Sequence, residues 1–140
     1  MATVSGDVIV KWAGSTLMTG FDSRGQSIAI GVWKEHEPVL KAVKASDMLL
    51  LAAAACSAHD IVTILRKQRE PLMDLEVVCT GEQDSTPPYQ FTHIHLHYIV
   101  KGNCDAGKID RAIQLAKDKY CSVTNTLKKA VEITYDFEIV

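Results

Sequence analysis

The sequence predicts an α+β fold, with short strands before and after long helices in the order β-β-β-α-β-β-α-α-β. Three observations predict it. Runs rich in β-branched residues open the chain, recur in its middle and close it. The stretch from Asp47 to Glu70 holds no glycine or proline and is stopped by Pro71. Two further helical patterns lie between Asn103 and Val131.

Each element has a local reason. Val4, Val8, Ile9, Val10 and Trp12 form an extended run ending at the turn Ala13-Gly14-Ser15, and Thr16 to Phe21 returns antiparallel. Asp22-Ser23-Arg24-Gly25 is a second turn, after which Gln26 to Trp33 gives a third strand of the meander. Lys34 to Lys44 is charged, contains Pro38 and reads as a surface loop. Ser46 is placed to cap the following helix, and Asp47 favours the positive end of its dipole. That helix would be about 24 residues or ~36 Å long. From Met48 to Ala55 it is apolar almost all round, the pattern of a helix buried on every side at the centre of a fold or of a dimer. Its second half sets Ile61, Val62, Ile64 and Leu65 against Arg66, Lys67, Arg69 and Glu70. Met73 to Glu82 and Phe91 to Val100 alternate as strands, separated by a loop with two prolines. Asp105 to Lys119 is an amphipathic helix with Ile109, Ala112, Ile113, Leu115 and Ala116 inward; Ser122 to Ala130 is a second helical piece; and Val131 to Val140 is a closing strand.

Composition bounds the function. A chain of 140 residues is expected to form one domain, residues 1–140, with a core of its own. Net charge is -2, with 15 basic and 17 acidic residues and no basic stripe, so no nucleic acid partner is expected. The N-terminus has neither a basic segment nor an apolar one of signal-peptide type. No uninterrupted apolar run reaches the ~18 residues of a spanning helix. These readings predict a cytoplasmic protein with no membrane partner, in a compartment where thiols stay reduced and a disulfide is transient. The 47% hydrophobic content is high for a small monomer and is expected to feed an oligomer interface or a packed core. P-loop, G-x-G-x-x-G and G-x-S-x-G motifs are absent, and no cofactor is expected.

The chemistry rests on cysteines. There are four, Cys56, Cys79, Cys104 and Cys121, with no C-x-x-C pair. Cys56 lies in the apolar part of the long helix, and Cys121 lies where one helix stops and the next starts. A buried thiol with a second at a helix start is the pattern of a redox pair, in which one attacks and the other resolves. It is also the pattern of inert packing, the usual role of a free cysteine, which is among the most buried residue types. Cys79, in a strand, and Cys104, in a turn, read as structural. His59 and Asp60 stand three and four residues after Cys56, within reach on one helix face. A protonated His59 would favour the Cys56 thiolate and Asp60 would oppose it; the two also fit a local hydrogen-bonded pair. Helix N–H groups would lower the pKa of Cys121. His93, His95 and His97 share one strand face at about 6–7 Å spacing. Either two of them hold a metal or the three make a polar sheet face. No carboxylate or cysteine has ligand spacing beside them, so no metal is expected.

Three segments together resemble the OsmC/Ohr family of osmotically inducible and organic hydroperoxide resistance proteins. They are Ser46-Asp47-Met48-Leu49-Leu50-Leu51-Ala52-Ala53-Ala54-Ala55-Cys56, Phe91-Thr92-His93-Ile94-His95-Leu96 and Lys119-Tyr120-Cys121-Ser122-Val123. The resemblance runs over essentially the whole chain. Ser57-Ala58-His59-Asp60-Ile61-Val62-Thr63-Ile64-Leu65 is similar to the YhfA-like branch. It implies an OsmC-like intertwined homodimer, with antiparallel sheets wrapped around long central helices and active sites at the subunit interface. It further implies Cys56 as peroxidatic and Cys121 as resolving thiol, acting on small organic hydroperoxides with a dithiol reductant. Family peroxidases carry an arginine from the N-terminal strands and a glutamate ten residues before the first cysteine. Here Ser46 stands ten before Cys56 and Asp47 nine before, no arginine occurs between Trp12 and Gly20, and Arg24 lies in a turn. The candidate activators are therefore His59, Asp47 and Arg24. The alternative is an OsmC-like protein with weak or no peroxidase activity that binds a small hydrophobic or thiol ligand at the dimer interface.

Overall fold

The computed structural model describes residues 6–31 and 42–140, which fall into two compact units divided between Leu49 and Leu50. The expected strand residues Val4 and Trp33, and residues 34–41 of the expected loop, lie outside the described residues.

In the first unit, β1 (Ile9–Trp12), β2 (Leu17–Phe21), β3 (Ser27–Gly31) and β4 (Val43–Lys44) form one sheet in that order. The expected meander is present, with β1–β2 and β2–β3 antiparallel. Its turns work as their residues demand. Gly14 and Ser15 take positive φ between β1 and β2. Asp22 Oδ1 accepts from the backbone N–H groups of Arg24 (2.8 Å) and Gln26 (2.9 Å), and Gly25 takes φ +86°. The described end of the expected loop is not all loop: Val43 and Lys44 pair parallel with Ile30 and Gly31.

Helix α1 (Ala45–Lys67) starts one residue before the expected cap, with Asp47 in its first turn. It ends at Lys67 rather than at Glu70. Arg69 takes φ +57°, and the N–H groups of Arg69 and Glu70 bond to the carbonyls of Arg66 and Leu65, both at 3.0 Å. This is a Schellman ending built on a non-glycine residue. By length and composition α1 could cross a membrane, which a count of uninterrupted apolar residues misses. Its stripe Ala53, Ser57, Ile61 and Leu65 is buried, as in a core helix. The sequence expected burial at the centre of a fold or of a dimer; within the single chain Leu51, Ala52 and Ala55 are exposed, because one chain of this size covers one stripe only.

In the second unit, β5 (Asp74–Gln83), β6 (Phe91–Lys101) and β7 (Glu132–Ile139) form a sheet with β6 central. β5 pairs antiparallel with β6, whereas β7 pairs parallel. The sheets are thus mixed rather than wholly antiparallel. A parallel neighbour needs a crossover, and α2 (Ala106–Leu115), a π-helical turn (Ala116–Tyr120) and α3 (Ser122–Leu127) supply it. Strand alternation puts Ile94, Leu96, Tyr98 and Val100 of β6 in the core with Ile61, Leu65, Ile109, Ile113 and Ile133. Tyr98 brings a hydroxyl into this core and donates to Ser57 Oγ at 2.9 Å; Ser57 in turn donates to the Ala54 carbonyl at 3.1 Å. Burial outweighs that hydrogen bond and pushes the phenol up to about 12.

Candidate functional site

Two elements of the second unit bring the two singled-out cysteines together. Cys56 is carried by α1, one position before the buried Ser57. Cys121 is delivered by the crossover. The π-helical turn closes with the Cys121 N–H on the Ala116 carbonyl at 2.8 Å, where the sequence pattern expected plain helix to Lys119. The backbone then extends (φ -75°, ψ 110°), and Cys121 caps α3, its Sγ accepting from the Thr124 N–H at 3.4 Å. Asn125 Nδ2 donates to the Cys121 carbonyl at 2.7 Å and holds the turn. The outcome is that Cys56 Sγ, Cys121 Sγ and a carboxylate oxygen of Asp60 all lie within 4.8 Å of one another. Cys121 is buried, and Cys56 and Asp60 are half-buried.

The two thiols differ electrostatically. Burial raises Cys56, but the Cys121 thiol, the Val123 N–H and the hydroxyl and N–H of Ser122 outweigh it, and Cys56 ends below the ordinary thiol range. The Ser122 hydroxyl is 3.9 Å from Cys56 Sγ. Cys121 moves the opposite way. Burial and the neighbouring Cys56 hold it above the ordinary range, although Thr124, through its side chain and then its N–H, pulls it down. The sequence reading expected helix N–H groups to lower Cys121. The Thr124 N–H does lower it, but burial and Cys56 outweigh that, while the Ser122 and Val123 N–H groups serve Cys56 because α3 starts against the sulfur of the other helix. Burial alone raises Cys79, and burial followed by Glu70 raises Cys104.

The expected activators fall in different places. Asp47, in the first turn of α1, and Arg24, in the β2–β3 turn, belong to the first unit. His59 is exposed on α1, and its carbonyl accepts from Thr63 Oγ1 at 2.8 Å. The groups that hold Cys56 low come from residues 121–123. Sequence reasoning missed Ser122 and Val123, whose only signal was their place just after a cysteine at a helix start. It set Asp60 beside His59 as a local pair; in the fold the carboxylate joins the two sulfurs, and its Oδ2 is buried without a hydrogen-bond partner among the described residues. Asp60 also lines a cavity of about 360 Å³ with Thr63, Ile64, Lys67, Gln68, Leu115 and Tyr120.

The three strand histidines form a polar ladder on the β6 face away from the core. Thr134 Oγ1 is 2.7 Å from both His93 Nε2 and His95 Nδ1. Asp136 Oδ1 lies 2.8 Å from His95 Nε2 and 2.7 Å from His97 Nδ1, and Glu138 is 3.5 Å from His97 Nε2. The parallel register of β7 on β6 makes this ladder possible.

An α+β fold that sets two thiols of unlike acidity side by side, one on a helix and one at a helix cap, defines a dithiol protein. A family model described as OsmC-like protein matches residues 39–136. Protein YhfA of Escherichia coli K12 is 39% identical over 132 residues, covering 94% of this chain and 96% of that one. Among solved structures, an OsmC-like protein from Mycoplasma pneumoniae has a TM-score of 0.85 at 18% identity, covering 99% of each chain. An organic hydroperoxide resistance protein OsmC from Legionella pneumophila has a TM-score of 0.73 at 16% identity, again covering 99% of each. The chain belongs to the OsmC-like family.

Proposed function

We propose that this protein is a dithiol peroxidase that reduces small organic hydroperoxides, with Cys56 as the attacking and Cys121 as the resolving thiol. The observation that carries the reading is the pair itself: two sulfurs within 4.8 Å, the helix thiol below the ordinary range and the cap thiol above it. The name of the Legionella neighbour, an organic hydroperoxide resistance protein, supports the same chemistry. The Cys56 thiolate attacks the terminal peroxide oxygen and the O–O bond breaks. The alkoxide leaves as alcohol on taking a proton, and Cys56 is left as sulfenic acid. The Cys121 sulfur then attacks that sulfenic sulfur, an S–S bond forms, and hydroxide leaves as water with the proton that Cys121 gives up. The Asp60 carboxylate is placed to carry this proton. A dithiol reductant restores both thiols by exchange, being oxidised to its own disulfide. A reducing, cytoplasmic setting keeps the pair ready.

The same reading makes the working unit a homodimer of single 140-residue domains. Val8 and Trp12 are each 71% exposed and Leu51 55%, apolar surface that a second copy would cover. Light scattering at micromolar concentration is expected to give twice the chain mass; a folded monomer would remove the dimer from the proposal. A non-peroxidase OsmC-like binder of a small hydrophobic or thiol ligand is the second reading, favoured by Ser46 standing where family peroxidases carry glutamate. Thiol titration before and after one equivalent of cumene hydroperoxide separates the two. Loss of two thiols per chain, with a Cys56–Cys121 disulfide in peptide maps, is expected. No loss favours the binder, and a disulfide through Cys79 or Cys104 contradicts the assignment.

A further inference from the structure

We infer that the reduced site is also a chelating site for a borderline-soft divalent cation of the zinc class, held by Cys56 Sγ, Cys121 Sγ and the Asp60 carboxylate. The inference shares its thiols with the proposed redox pair but does not require peroxidase activity. Three ligand atoms within 4.8 Å of one another form a cluster of the right size. Tetrahedral zinc with Zn–S near 2.3 Å sets its sulfurs roughly 3.8 Å apart, so the two sulfurs need to close by about 1 Å at most. The donor set selects the metal. Two thiolates and one carboxylate suit zinc, whereas magnesium and calcium take oxygen ligands throughout.

The scaffold favours capture. Cys56 and Asp60 are one turn apart on α1 and share a face. Cys121 is fixed from both sides, through its N–H on the Ala116 carbonyl and its cap contact to Thr124. Asp60 Oδ2 is buried with no hydrogen-bond partner among the described residues, and a buried carboxylate oxygen in that state calls for a counter-charge. A cation between it and the sulfurs supplies one. Asp60 is the member of the cluster that also lines the cavity of about 360 Å³. Three protein ligands leave the fourth position open to water or a small thiol. Metal binding needs both thiolates and disulfide formation consumes both, so the two states exclude each other. By contrast, the nitrogens of His95 and His97 are already hydrogen-bonded to Thr134, Asp136 and Glu138.

The test uses the full chain, reduced, treated with chelator and kept free of oxygen and peroxide. Zinc competition against a chromophoric chelator is expected to give one ion per chain, and cobalt(II) to give thiolate-to-metal charge-transfer absorption with tetrahedral d–d bands. Cys56→Ser and Cys121→Ser should each weaken binding by at least about 100-fold, Asp60→Asn by about 10-fold or more, and His95→Gln should leave it unchanged. Zinc should raise the melting temperature of the reduced wild type and leave the disulfide form unmoved, a reading that needs no variant to fold. Absence of stoichiometric binding, a cobalt spectrum without thiolate bands, or loss of binding in His95→Gln alone would overturn the inference. Failure of the peroxide titration alone leaves it standing.

Discussion

Replacing Gly102 by alanine should be among the most damaging single-methyl changes in this chain. Gly102 follows β6 and opens the crossover that delivers Cys121. Its φ is +128°, and an added Cβ would lie 2.2 Å from the Pro71 carbonyl oxygen and 3.2 Å from the Met73 nitrogen. Neither atom yields easily. Both are backbone, and the Met73 N–H is bonded to the Lys101 carbonyl at 2.8 Å. Holding alanine at that φ costs roughly 1–3 kcal/mol. Forcing the methyl into filled space costs roughly 1–3 kcal/mol more. The stiffer unfolded chain offsets about 0.4–1 kcal/mol. The net loss is about 3 kcal/mol. With an unfolding entropy of about 2.1 cal/mol/K per residue, the chain loses about 10 °C in melting temperature. Gly25→Ala is the control, because Gly25 has φ +86° but, among the described residues, nothing within 4 Å of its added Cβ. It bears the conformational cost alone, about 1–2 kcal/mol. Thermal melts followed by circular dichroism should rank Gly102→Ala well below Gly25→Ala. Equal melting temperatures for the two, or a Gly102→Ala protein within about 2 °C of wild type, would refute the argument from close approach.

Other outcomes are equally specific. In a pH series of iodoacetamide labelling read by peptide mapping, Cys56 should label first, ahead of Cys79 and Cys104, which burial raises. His59→Ala should leave that profile in place and Ser122→Ala should move it up in pH; the reverse would restore His59 as the activator. The Asp136 hydrogen bond, then Glu138, raises His97 against opposing burial, while His97 and His95 lower Asp136. The His97 contribution is complete below the ordinary histidine value of 6.5 and fades as pH rises through its raised folded value. The Asp136 contribution is complete above the ordinary aspartate value of 3.8 and fades as pH falls through its lowered one. Ladder stabilisation should therefore peak between those two values, and Asp136→Asn should lower the His97 titration midpoint in NMR; an unmoved midpoint would rule the ladder out. Arg69→Gly should raise stability by about 0.5–1 kcal/mol in urea titration, because glycine takes the positive φ of the α1 ending without a Cβ penalty. A loss of stability there would mean that the arginine side chain matters more than its backbone.

The sequence by itself determined most of the elements and their order, though not the short β4 or the π-helical turn, because helix and strand signals are local. Pro71, the alternation of Phe91 to Val100 and the Asp22-Ser23-Arg24-Gly25 turn each act within a few residues. It also singled out Cys56 and Cys121, through their settings and the family resemblance. Only tertiary structure decided the rest. The parallel pairing of β7 on β6 is a matter of how a crossover returns, and it alone turns three histidines into a ladder with Thr134, Asp136 and Glu138. The 4.8 Å cluster joins residues 56 and 60 to residue 121, a separation that no window of local sequence spans. The unlike acidity of the two thiols follows from the same packing. Burial acts on both, but the Cys121 thiol and the N–H groups of Ser122 and Val123 are turned toward Cys56, leaving Cys121 that of Thr124, and hydrogen-bond direction is set by where chain segments meet rather than by which residues they contain.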